Sequence, residues 1–295
     1  MRLLVVGGSG LLGSNLLIEA KERGIEVKGT YRSHPALDLV PLDLANHGSL
    51  TALIDEWAPS AIVHAAGWTW VDGCEMDPGR AMLENAEQPA VLARLCAERG
   101  IRIVYISTSY VFDGTAGPYS EDDVPCPINA YGRAKDAGEK AVMAIAGSLA
   151  LVPRVICVWG KETQRKNFAY QVLTAVRENT AMRIPSDQCG NPTWAGDICA
   201  WVLDLLRAEE SGIWHLGSKF EEWTREQWLR AILDGLRKRT DYLSMVEAWR
   251  YFSVPTALIG QTALRPLKAG LLTHRIVERF PRVIRHPSNI DCLLT

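Results

Sequence analysis

The stretch RLLVVGGSGLLG, residues 2–13, decides the fold of this chain. Its first half, Leu3 to Val6, is apolar throughout, as expected of a strand buried on both faces of a parallel sheet. Its second half is a glycine-rich turn that runs directly into LLGSNLLIEAKERG (11–24), an amphipathic helical pattern stopping at Gly24. Glycine there permits a tight turn, close approach of backbone to a pyrophosphate and close packing of helix on strand, with the phosphates on the helix N-terminus. Strand, glycines and helix in this register predict a dinucleotide site formed by Gly7, Gly10, Leu11, Leu12 and Gly13.

Outward from that opening, strand and helix patterns alternate. EVKGTYR (26–32) is followed by the helix HGSLTALIDEWAP (47–59) and the strand SAIVHAAG (60–67). A long helix around AMLENAEQPAVLARLCAERG (81–100) precedes IRIVYISTS (101–109), and a further helix precedes ALVPRVICV (150–158). Five or more such units predict an α/β fold with a doubly wound parallel sheet of the Rossmann kind. Ligands in such sheets bind beyond the carboxyl ends of the strands. Residues 1–160 are expected to form the dinucleotide-binding domain, and 161–295 mainly a smaller α/β substrate-binding lobe, with segments of about 190–216 returning to the first. In that second part MRIPSDQCGNPTW (182–194) reads as a strand and turn, and EEWTREQWLRAILDGLRKR (221–239) as a helix. Seven of the ten Trp fall between residues 159 and 249; at helical spacing, as for Trp223 and Trp228, core packing explains them better than stacking on a sugar or base.

The end of the second strand separates the dinucleotides. An acidic residue there would hydrogen-bond the ribose hydroxyl of NAD, whereas Arg suits the phosphate of NADP. The chain reads TYRSH (30–34) with no carboxylate before Asp38, so Tyr31, Arg32 and Ser33 point to NADPH, with NADH as the alternative.

Farther along, NAYGRAK (129–135) places Tyr131 and Lys135 four residues apart, on one face of a helix that Asn129 can cap. A free phenol titrates near pH ~10, and a neighbouring ammonium favours the phenolate and brings the group toward acid–base work. The polar segment IRIVYISTSYVFDG (101–114) lies shortly before it and offers a hydroxyl donor. Together these describe carbonyl reduction.

Other classes are bounded by composition. With 47% apolar and 22% charged residues over 295, the chain can build a sizeable core. A net charge of −2 gives no footprint for nucleic acid or an anionic membrane. The longest apolar candidate, AVMAIAGSLALV (141–152), is broken by Gly147 and too short for a membrane span. Met1 leads straight into a core strand, so no signal peptide is expected and the cytoplasm is the expected compartment. Seven scattered Cys without ligand spacing read as reduced core residues, with no metal site. His64 reads as a packed strand residue, and Asp72, Glu75 and Asp77 as solvated or capping carboxylates. A homodimer stays open.

These segments resemble the extended short-chain dehydrogenases/reductases, and within them the dTDP-4-dehydrorhamnose reductase type. GGSGLLG is similar to that family's opening turn, VDGCEMDPGRAMLENA (71–86) to its segment after the third strand, and STSYVFDGTAGPYSEDDVPCPINAYGRAK (107–135) to its catalytic stretch. QCGNPTWAGDICAWVLDLL (188–206), GIWHLGS (212–218) and LRPLKAGL (264–271) resemble its later signatures. The resemblance implies that Thr108 hydrogen-bonds the substrate carbonyl and Tyr131 delivers the proton, that Lys135 holds the nicotinamide ribose and lowers the phenol's pKa, and that Tyr131 as well as Lys135 contacts the cofactor. It further implies that Asp43 and Leu44 touch the adenine, that Ala65, Ala66 and Gly67 line the cofactor, and that Thr69, Ser109, Tyr110 and Arg265 lie on the substrate side. The implied reaction is reduction, by NADPH, of the 4-keto group of a nucleotide-linked 6-deoxyhexose.

Three departures fall on the substrate side: Ser109 where the family usually has Asp, Cys157 where it has Trp, and Lys268-Ala269 where it has Asn-Ser. A sugar-nucleotide dehydratase would carry an Asp-Glu pair after Thr108, and an epimerase-reductase a Cys; Ser109-Tyr110 offers neither. The family also resembles the regulatory subunit of methionine adenosyltransferase, an NADP-binding fold that serves as a partner protein, which is the alternative from another class.

Overall fold

Successive side chains of a strand face opposite ways, so a strand apolar at every position must serve two cores. Strand β1 (Arg2–Val6) does so, with Leu3 and Val5 buried in one and Leu4 and Val6 in the other. The computed structural model describes residues 1–294. In it β1 is central to a parallel sheet with β2 (Glu26–Tyr31), β3 (Leu39–Pro41), β4 (Ala61–His64), β5 (Arg102–Tyr105), β7 (Ala150–Val155) and β12 (Gly212–His215). The order is β3-β2-β1-β4-β5-β7-β12, and the short β6 (Ser107–Thr108) pairs with the end of β7.

Helices α1 (Leu11–Glu22), α8 (Ala195–Arg207) and α11 (His274–Arg279) supply Leu16, Trp201 and Ile276 to one face of this sheet. Helices α2 (His47–Trp57), α5 (Gln88–Arg99) and α6 (Ala130–Ala146) supply Ile54, Leu92 and Val142 to the other. This is the doubly wound α/β sheet expected. From β1 the chain steps outward through β2 and β3, then returns to β4 on the other side of β1. Connections therefore diverge between the carboxyl ends of β1 and β4, which opens a crevice there.

The helix expected across residues 81–100 is interrupted. After α3 (Val71–Met76) and α4 (Pro78–Met82), residues Leu83–Glu87 form a π turn before α5 begins. Pro89 has no N–H, so the Asn85 carbonyl four residues back cannot be answered inside an α-helix. The Tyr105 hydroxyl donates to it instead.

Beyond β8 (Val158–Trp159) a third core gathers Trp159, Tyr170, Leu173, Trp228, Ile232 and Trp249 from α7 (Phe168–Arg177), α9 (Arg225–Arg237), α10 (Thr240–Ala248) and their connections. Residues 182–194 are not one strand and turn but three short strands. These are β9 (Met182–Pro185), β10 (Cys189–Gly190) and β11 (Thr193–Trp194), paired respectively with β14 (Tyr251–Val254), β13 (Trp223–Thr224) and β8. Their partners lie far off in the chain, where local periodicity cannot see them. Trp223 belongs to β13, ahead of α9, so it does not share a helix face with the buried Trp228. Cys74, Cys96 and Cys199 are buried as expected, but Cys126 is exposed and Cys157 and Cys189 are half-buried. Among the described residues no cluster is suited to a metal ion, and no helix is long and apolar enough to cross a membrane.

Candidate active site

The crevice at β1 is shaped by backbone contact. Gly7 has φ +88°, and a Cβ there would lie 2.7 Å from the Ala66 nitrogen, so the β1 turn and the segment after β4 press together. At Gly13 a Cβ would sit 2.1 Å from the Gly7 carbonyl oxygen, which fixes α1 against the turn. Gly10 caps α1 without a side chain, leaving the backbone N–H groups of Leu11, Leu12 and Gly13 at a positive helix end with no side-chain oxygen over them. That cradle fits a diphosphate.

Tyr31 ends β2 half-buried, and Arg32 and Ser33 are exposed just beyond it. Arg32 is not a free loop residue. Its Nη2 meets Glu84 Oε2 at 3.1 Å, while Arg80 Nε meets Glu84 Oε1 at 2.8 Å and stacks over Trp68 at 4.1 Å from the ring centre. Two guanidiniums on one buried carboxylate keep a net positive charge where the cofactor's ribose is read. Glu84 and Arg80 were not foreseen, although their i,i+4 spacing was visible in the chain. Asp43 is exposed and accepts from the Ala45 nitrogen at 3.0 Å, whereas Leu44 is buried. Ala65 and Ala66 line the crevice half-buried, Gly67 is exposed, and Thr69 is exposed with Trp70 beside it.

The three residues read as the reducing set converge at the ends of β5, β6 and α6. Asn129 caps α6 by accepting from Gly132, and Glu75 accepts from the Ala130 nitrogen at 2.7 Å, so two polar groups fix the helix start just before Tyr131. Tyr131 and Lys135 are both buried. Burial pushes the Tyr131 phenol above its ordinary range, while a hydrogen bond with the Thr108 side chain acts in the opposite sense. Lys135 is brought down to about 7 by burial, partly offset by Glu139. Its Nζ donates to the Ile106 carbonyl at 2.6 Å and lies 3.8 Å from the centre of the Tyr105 ring. In the protein alone the ammonium of Lys135 is aimed at the Ile106 carbonyl, and burial dominates the phenol. His64 is buried as expected; both ring nitrogens lack partners, and burial beside Lys135 holds it down to about 3.

Behind this set is a buried network that sequence reading missed. Glu139 takes Arg154 through both oxygens, at 2.9 and 2.7 Å, and also accepts from the Ser107 hydroxyl. It binds α6 to β6 and β7, and so sets Tyr131 against Thr108.

On the substrate side a cavity of about 110 Å³ is lined by Tyr110, Cys157, Gln188, Cys189, Trp223 and Arg225 among others. Tyr110 meets Tyr131 edge-on at 5.7 Å between ring centres, joining the cavity to the reducing set. Ser109 does not join it: the residue is fully buried and its hydroxyl has no partner. Arg265 is neither a surface residue nor a free one. Its side chain is 7% exposed and bound to Asp72 at 2.9 Å, and Asp72 also accepts from the Ala263 nitrogen. Asp72 is thus an ion-pair partner, while Glu75 caps α6 and Asp77 caps α4 as expected of turn carboxylates.

The model of the family described as the RmlD substrate binding domain matches residues 1–288. The chain belongs to this family. Among its relatives is a dTDP-4-keto-6-deoxy-D-glucose reductase of Streptomyces niveus, 33% identical over 90% of this chain and 86% of the relative. Methionine adenosyltransferase 2 subunit beta of Xenopus laevis is 30% identical over 82% of this chain and 74% of its own length. In fold, the chain matches a Bacillus anthracis dTDP-4-dehydrorhamnose reductase in complex with NADP, with a TM-score of 0.85 and 24% identity over 99% of this chain and 98% of that one. Membership of the RmlD substrate binding domain family accords with a cavity set beside a dinucleotide crevice.

Proposed function

We propose that this protein is an NADPH-dependent oxidoreductase that reduces the 4-keto group of a nucleotide-linked 6-deoxyhexose. The convergence of Thr108, Tyr131 and Lys135 between the β1–β4 crevice and the cavity carries the reading. Family membership and the reductase relatives support it. NADPH, when bound, supplies the hydride. The backbone N–H groups at residues 11–13 and the paired Arg32 would hold its phosphates. Thr108 would donate to the substrate carbonyl, and Tyr131 would give its proton to the alkoxide that forms. The raised phenol suits this direction, because the group is fully protonated at neutral pH and ready to act as an acid. Lys135 would be drawn from Ile106 toward the ribose hydroxyls of the nicotinamide. The cytoplasm, where thiols stay reduced, fits the scattered cysteines.

Tyr131→Phe tests the assignment. With a 4-keto-6-deoxy sugar nucleotide, kcat followed by NADPH absorbance should fall about 10²- to 10⁴-fold, with NADPH affinity unchanged within about twofold. Undiminished turnover removes Tyr131 as the proton donor. The likeness to the adenosyltransferase subunit favours a second reading as a cofactor-binding partner protein. Tight NADPH binding by the wild type with no turnover of any 4-keto sugar nucleotide would select it.

A further inference from the structure

The cavity beside Tyr110 contains a cation that its own walls leave unneutralised. Two guanidiniums act on Tyr110, those of Arg265 and Arg225, against the upward pull of burial. Arg265 is already held by Asp72 and by the Ala263 carbonyl. Among the described residues the Arg225 side chain has no such partner. Glu226, next in the chain, accepts from Arg230, Tyr251 and Ser253, and Asp187 accepts from Thr256. Among the described residues no carboxylate lines the cavity, although the charge of Glu222 reaches the wall residue Cys189. Instead the half-buried Arg225 guanidinium lies 5.0 Å from the ring centres of both Phe168 and Trp228. Aromatic faces steady a guanidinium without neutralising it and leave its N–H edge open to an oxyanion that can accept two N–H groups. Its field also reaches Cys157, opposing the rise that burial imposes on that thiol.

We propose that Arg225 is the oxyanion anchor of this cavity and binds an anionic group of the sugar-nucleotide substrate. This rests on the reductase reading for the ligand's identity. On that reading the diphosphate is the group with the required chemistry; a carboxylate borne by the sugar, absent from a 6-deoxyhexose, would select a different sugar.

Trp223 and Trp228 line the cavity, so tryptophan fluorescence can report binding with NADPH saturating. Thymidine diphosphate against thymidine tests the first source; UDP-glucuronate against UDP-glucose tests the second. Arg225→Gln should weaken thymidine diphosphate by about 10- to 100-fold and leave thymidine within about twofold, with Arg225→Lys recovering part of the loss. If only UDP-glucuronate loses affinity relative to UDP-glucose, the anchor stands, its ligand is a carboxylate, and the 6-deoxyhexose part of the reductase reading is overturned. All four ligands binding Arg225→Gln as they bind the wild type would overturn the proposal. Melting temperature and NADPH affinity check that the variant folds. Should it not fold, the wild type decides: displacement of thymidine diphosphate by inorganic pyrophosphate supports the anchor, and indifference to pyrophosphate and salt removes it. The two readings fail separately. A wild type that binds thymidine diphosphate through Arg225 but reduces nothing keeps the anchor and loses the reductase, whereas full turnover with an indifferent Arg225→Gln does the reverse.

Discussion

At the scale of single residues, burial sets the protonation of the site. It raises the Tyr131 phenol and lowers the Lys135 ammonium to about 7. In the unfolded chain that ammonium titrates near pH ~10.4. Between about pH 7 and 10 the unfolded state therefore binds a proton that the native state does not, and this group's contribution to stability rises with pH across the window. Below pH ~7 both states are charged and the full burial penalty applies. Lys135→Met removes the dependence. The stability of the wild type minus that of the variant, from denaturant titrations at several pH values, should rise between pH ~7 and ~10. A flat difference would mean that Lys135 titrates in the fold as it does in water. The pairing of Tyr131 with Lys135 was legible from spacing alone. The sign of the phenol's shift was not, because desolvation depends on neighbours from β5, β6 and α3.

At the scale of elements, α6 carries the proton donor and the Glu139–Arg154 pair positions α6. Both side chains are almost fully buried, at 3% and 1% exposure. Removing one partner of such a pair leaves an uncompensated buried charge, typically costing about 3–5 kcal/mol. Glu139→Ala should lose that much in urea unfolding, and what folds should show a lower kcat with NADPH affinity retained. A loss under about 1 kcal/mol would show that Arg154 finds another partner, His215 being 3.5 Å away. Helix α6 itself was readable from its 3.6-residue pattern and its Asn129 cap. The π turn ahead of α5 is not legible from Pro89 alone, because its stability depends on Tyr105 reaching the Asn85 carbonyl from another element.

At the scale of the whole molecule, residues 263–272 return across both the sheet and the later helices. Leu264 offers its carbonyl to Asn129, Lys268 donates to Gly114, Leu272 donates to Tyr119, and Leu271 donates to Asn191. The Arg265–Asp72 pair anchors this crossing beside the cavity. Asp72→Ala should therefore destabilise the fold by about 3 kcal/mol and raise KM for the sugar nucleotide more than it lowers kcat. Thermal unfolding and steady-state kinetics check this; an unchanged KM would mean that the crossing does not shape the cavity.

The amino-acid order alone determined the buried strand, the glycine turn, the alternation that makes a doubly wound sheet and the Tyr131–Lys135 pairing, since each is an interaction between near neighbours. Tertiary structure alone decided that Arg32 and Arg80 share Glu84, that Arg265 is held by Asp72, and that Arg225 enters a cavity without a counter-charge. Those outcomes depend on which carboxylate comes within about 4 Å of which cation, and residues 52 to 193 positions apart meet only when the sheet and its helices have packed.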